Sequence, residues 1–192
     1  MTAGSADAPS RTGSGGPGRR ILVLACGERE RGDDAAGLLA ADLLEAWLSG
    51  PPERRPGPLP PPSLRSAAEG LRSRVDVRRV GQLEPDDLLA VGPDQAVVVI
   101  DAVRGIPPGT VVCRPLADLA AGGPAPRSSH TLPLRDVLGL VQTLRGSLPQ
   151  GEFVGLGGAS FGLGEPPAAA VLEALPAFAA AVLDRAMRLA GE

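Results

Sequence analysis

The chain has 192 residues and a formal net charge of −3, and 43% of it is hydrophobic. That length suits one domain with a sizeable core, and the charge gives no electrostatic footprint for nucleic acid. No apolar stretch reaches the length of a membrane span and the N-terminus has no apolar signal-peptide core, so the expected setting is the cytoplasm with no membrane partner.

Residues 1–18 are mostly Gly, Ser, Ala and Pro with almost no apolar bulk, which predicts a disordered tail. Residues 19–192 read as a single α/β domain, interrupted by a Pro-rich insertion at about 49–70; Ser49 to Pro62 alone contains seven prolines. Ile21–Cys26 is apolar throughout and ends at Gly27, as a strand buried on both faces does. Asp34–Leu48 reads as a helix, with Leu39, Leu43 and Trp47 recurring at four-residue spacing. Val75–Val80 alternates as a strand, and Pro85 stands where a short helix begins, with Leu88 and Leu89 inward. Ala96–Ile100 is the most β-like run and predicts a central strand, followed by a shorter one over Gly109–Arg114.

Thr131–Leu144 predicts a helix with Pro133 in its first turn and one face made by Leu134, Val137, Leu138, Val141 and Leu144. Phe153–Leu156 is the last strand, and Ala168–Leu189 a long Ala/Leu helix containing Pro176. Strands alternating with helices predict a three-layer α/β/α sandwich around a mostly parallel sheet of about five strands. Strand order is not legible. Cys26 and Cys113 lack C-x-x-C spacing and read as small core residues before they read as a disulfide or as ligands.

Polar residues recur at the junctions of these elements. Asp33 and Asp34 follow the first strand, Asp101 ends the run Val97-Val98-Val99-Ile100, and His130 precedes an amphipathic segment. Two carboxylates and one imidazole suit a three-ligand metal site with open positions, on the rim where α/β sheets bind ligands. Each residue also has a plainer reading. The aspartates at 33 and 34 suit a helix start, Asp101 a turn, and His130, the chain's single histidine, the surface or a local cap.

Four segments together resemble the hydrogenase maturation proteases, from about Arg20 to the C-terminus and excluding the Pro-rich stretch. They are the strand–Gly27 loop leading to Asp33-Asp34-x-x-Gly37, Val99-Ile100-Asp101-Ala102-Val103 followed by Pro108-Gly109-Thr110, Ser129-His130 before a helix, and Gly157-Gly158-Ala159 after the last strand. The resemblance implies a cytoplasmic endopeptidase. It would remove the C-terminal extension of a NiFe-hydrogenase large-subunit precursor already loaded with nickel, the metal being supplied by that substrate. It also implies that Asp34, Asp101 and His130 engage the metal and carry the catalysis. The sequence departs from the family's pattern in having Glu28 for the usual Asn, Glu30 for a small apolar residue and Ala35 for the usual Gly. Gly81-Gln82-Leu83-x-Pro85 replaces the family's common Gly-Gly-Thr.

Two rivals stand beside this reading. Gly158-Ala159-Ser160-Phe161-Gly162 matches the nucleophile-elbow spacing of serine hydrolases, but Gly164, Pro166 and Pro167 delay the helix that an elbow needs at once. A nickel-site docking or carrier protein without catalysis would use the same three ligands. A dinucleotide-binding loop is disfavoured, because Gly27-x-x-x-x-Gly32 lacks the required glycine spacing and carries four charges.

Overall fold

The structure, a computed structural model, describes residues 18–49, 58–122 and 132–191. Most of the expected N-terminal tail, the centre of the Pro-rich stretch and His130 lie outside the described residues. The elements in chain order are β1 (Arg20–Ala25), α1 (Ala36–Leu48), α2 (Arg65–Leu71), β2 (Val75–Arg79), α3 (Pro85–Leu89), β3 (Gln95–Val103), β4 (Val111–Pro115), α4 (Leu116–Ala120), α5 (Leu134–Arg145), β5 (Gly151–Gly157) and α6 (Ala169–Gly191).

The five strands form one sheet in the order β2-β1-β3-β5-β4. Pairing is parallel from β2 across to β5, and β4 runs antiparallel on the edge of β5. Side chains alternate along β3: Ala96, Val98, Ile100 and Ala102 pack toward α1, α2 and α6, whereas Val97, Val99 and Val103 pack toward α3, α4 and α5. Apolar layers on both faces make the three-layer α/β/α sandwich and explain why β1 and β3 read as unbroken apolar runs.

Several boundaries differ from the sequence reading. β3 continues three residues past Ile100, because β5 goes on pairing with it through Asp101↔Gly155, Ala102↔Leu156 and Val103↔Gly157. Asp101 therefore sits inside the strand and does not terminate it. Asp34 belongs to a 3-10 turn over Gly32–Ala35 that leads into α1. Pro133 is the extended cap before α5 and not part of its first turn, with φ −59° and ψ 140°.

Two helix faces also differ. On α1 the buried positions beyond its first three residues are Ala40, Ala41, Leu44, Trp47 and Leu48, with Leu39 and Leu43 only half-buried. On α5 Leu144 is 62% exposed, so the buried face ends at Val141. The short helices α2 and α4 carried no sequence signal strong enough to be read. Part of the Pro-rich stretch thus ends in helix, with Ala68 and Leu71 buried in the α1–α6 layer. Among the described residues no helix is long and apolar enough to cross a membrane.

Candidate active site at the carboxyl rim of the sheet

β1 lies between β2 and β3, and the chain leaving β1 goes on to β2 at one edge whereas the chain leaving β3 goes on to β4 at the other, so the two connections diverge to opposite sides. This is the switch point at which open α/β sheets form a ligand crevice. Asp34 arrives there from the loop after β1, and Asp101 from the carboxyl half of β3.

The approach is tight because two glycines permit it. Gly27 turns the chain out of β1 at φ +118°, and a side chain there would strike the Asp34 carbonyl. A Cβ on Gly37 would land on the Cys26 carbonyl oxygen and lie 3.0 Å from that of Ile100. The start of α1 can therefore rest directly on the ends of β1 and β3.

The two adjacent aspartates do different work. Asp33 is fully buried and its carboxylate accepts N–H donors from Ala159 at 2.7 Å, Ser160 at 2.9 Å and Ala168 at 2.6 Å. Its own N–H donates to the Ser160 carbonyl at 2.7 Å, and Gly32 N–H to that of Glu165 at 3.0 Å. Asp33 is thus a clamp joining the β1–α1 loop to the β5–α6 loop, with its acceptor positions committed to backbone. Asp34, 2% exposed, accepts the Glu28 N–H at 2.9 Å on Oδ2.

Asp101 is 3% exposed. It lines a narrow crevice with Cys26, Leu83, Leu132, Leu134 and Val137, whose free volume of about 10 Å³ admits little more than a single water-sized group. Cys26 shares this crevice with Asp101. Burial pushes its thiol well above the ordinary value, and the charges of Asp101, Asp87 and Asp34 push it in the same direction. Asp34 and Asp101 therefore both act on the same buried sulfur. Both cysteines are free thiols.

No group of three or more His, Cys, Asp or Glu side chains with metal-holding geometry occurs among the described residues. The two carboxylates supply hard oxygen donors, and the chain's one imidazole would complete a nitrogen–oxygen set suited to nickel.

Ser160 lies in an open loop whose hydroxyl contacts Glu165, and no helix begins until Ala169. The strand–nucleophile–helix geometry of an elbow is missing at this serine. The sequence reading missed the Asp33 clamp, since its partners lie more than a hundred residues away.

No model of a known protein family matches the sequence, and no curated protein matches it either. Solved structures do match. The hydrogenase maturating endopeptidase HybD from E. coli is 23% identical with a TM-score of 0.60, the match covering 88% of this chain and 92% of that one. The NiFe hydrogenase maturation protease HybD from Thermococcus kodakarensis is 22% identical with a TM-score of 0.58, covering 89% of this chain and 99% of that one. HycI from Thermococcus kodakarensis KOD1, also described as a NiFe hydrogenase maturation protease, is 23% identical with a TM-score of 0.56, covering 91% and 94%. This chain has the fold of the hydrogenase maturation proteases.

Proposed function

We propose that this protein is a processing endopeptidase of the hydrogenase maturation type. Its substrate is the nickel-loaded large-subunit precursor of a NiFe hydrogenase, from which it removes the C-terminal extension. The observation that carries this reading is the pair of buried carboxylates, Asp34 and Asp101, at the sheet's switch point. His130 is the third ligand of the proposal. In sequence it stands two residues before Leu132, which lines the same crevice as Asp101.

In this mechanism the metal arrives with the substrate and supplies Lewis acidity at the scissile peptide. Asp34 and Asp101 provide two negative charges on a rigid rim, and the backbone N–H of Glu28 fixes the Asp34 carboxylate. Asp33 holds the neighbouring loop and is not the general base, because three N–H donors already occupy it.

The test incubates precursor made with and without nickel with wild type, Asp101→Asn, His130→Ala and Ser160→Ala, and follows the released C-terminal peptide by mass. Wild type should cleave the loaded form only. Loss of either ligand should reduce cleavage by about a hundredfold or more, whereas Ser160→Ala should stay near wild type. Equal cleavage of both precursor forms would remove the metal from recognition. Tight binding of the loaded precursor with no peptide released would favour the carrier reading.

A further inference from the structure

Arg104 directly follows β3 on the same rim as the two carboxylates, and it is exposed. Its guanidinium carbon lies 3.8 Å from the centre of the Phe161 ring. That ring is only 8% exposed and belongs to the loop whose Ala159 and Ser160 N–H groups Asp33 holds. Gly158 N–H also bonds the Val103 carbonyl at 2.9 Å, so the ring and the arginine are carried by one braced piece of backbone.

A guanidinium laid on a ring face keeps its N–H donors around its edge, already oriented for a planar acceptor. Arg29, Arg31, Arg79, Arg185 and Arg188 each pair with Asp or Glu within the chain. Arg104 makes no ion pair among the described residues. It is a preoriented cation on a rim that also carries Glu28, Asp34, Asp101 and Glu165, and the rim's other cations, Arg29 and Arg31, are paired with Asp42 and Glu28.

We propose that Arg104 reads a carboxylate of the substrate's C-terminal extension through a two-pronged charge-assisted hydrogen bond. This rests on the peptidase reading and deepens it by naming the chemistry of the segment recognised. The carboxylate comes either from an acidic side chain of the extension or from its terminal α-carboxylate. Reading it would set the register in which the extension crosses the rim past Asp34.

The experiment compares wild type, Arg104→Met and Arg104→Lys on three nickel-loaded precursors: the natural one, one with the extension's Asp and Glu changed to Asn and Gln, and one ending in a C-terminal amide. Cleavage kinetics, equilibrium binding of labelled precursor and melting midpoints are measured. On the natural precursor Arg104→Met should raise KM by about tenfold or more, the scale of a lost charge-assisted hydrogen bond, with kcat within about twofold. Arg104→Lys should fall between, and the melting midpoint should not move. Neutralising the carboxylate that is read should raise the wild-type KM equally and leave Arg104→Met unaffected, and the precursor that does so identifies the source. A wild-type KM in Arg104→Met overturns the assignment, as does an unchanged penalty on both altered precursors. If wild type binds the precursor in an Arg104-dependent way but releases no peptide, the peptidase reading falls and the assignment of Arg104 stands. If binding too is independent of Arg104, both fall.

Discussion

Asp33 and Asp34 are neighbours of the same type, and the sequence offers no reason to separate them. Their partners do. Replacing the Asp33 carboxylate with an amide turns an NH2 either on the Ala168 N–H at the Oδ1 position or on the Ala159 and Ser160 N–H groups at Oδ2. Asp33→Asn should therefore lose about 2–3 kcal/mol of stability in urea unfolding, while Asp34→Asn stays within about 1 kcal/mol and loses processing. An Asp33→Asn protein as stable as wild type would dismiss the clamp. At Glu28 it is the backbone that meets the site. The contact with Asp34 uses the backbone N–H of Glu28, whose side chain is 60% exposed and reaches Arg31 at 3.4 Å. Cys26 gives a pH test at the same scale. Its thiol is pushed up in the fold by burial and then by Asp101, Asp87 and Asp34, whereas the unfolded thiol ionises near its ordinary value of 9.0. Above that pH the folded state holds a proton that the unfolded state has released, so stability falls as pH rises past 9.0. The urea midpoint of wild type should drop more steeply between about pH 8 and pH 10 than that of Cys26→Ala, and parallel profiles would remove the thiol from the account.

Among elements, α1 shows how far sequence periodicity reaches. A helix there was legible, but the face drawn through its bulky residues was displaced. Ala40 and Ala41 are fully buried in the layer shared with α6, which brings its own small residues Ala179 and Ala186. Small side chains let the two helices approach closely, and a pattern weighted by bulk misses them. A second close approach, of the start of α1 to the ends of β1 and β3, calls for glycine at Gly37. Gly37→Ala should destabilise by about 1–3 kcal/mol through overpacking against the carbonyls of Cys26 and Ile100. A thermal melt checks this, and an unchanged or raised midpoint would show that α1 can shift outward at little cost. Asp101 was misread as a strand end for a related reason: a carboxylate breaks an apolar run in sequence, yet β5 continues to pair across it. The helices α2 and α4, of seven and five residues, are held by tertiary burial and are too short for any periodicity to declare them.

At the scale of the whole molecule, layer architecture was legible because alternation of elements dictates it, while strand order was not. The last strand, β5, inserts between β3 and β4, an outcome decided by pairing such as Val97↔Gly151 across the sheet with no local signal. That order puts the switch point between β1 and β3, and so brings Asp34 and Asp101 to one rim. Stability has a different origin from the site. It comes from two apolar layers, one with Trp47, Phe178 and Leu183 at its centre and the other with Leu88, Leu138 and Phe153. Neither layer includes the carboxylates, and each of those is held by its own strand or turn. A metal delivered by the substrate should therefore contribute little to the fold of the free protein. Dialysis against EDTA should leave the melting midpoint within about 2–4 °C, the shift that 1 kcal/mol produces in a chain of this size. Asp101→Asn should hold or slightly raise it, because one of three like charges near Cys26 is removed. Elemental analysis of the purified protein should find nickel well below one equivalent. A midpoint that falls steeply with chelator and returns with nickel would show instead that the ion is resident and helps to build the rim. The proposal that the precursor brings the metal would then fail, even if the same three residues bind it.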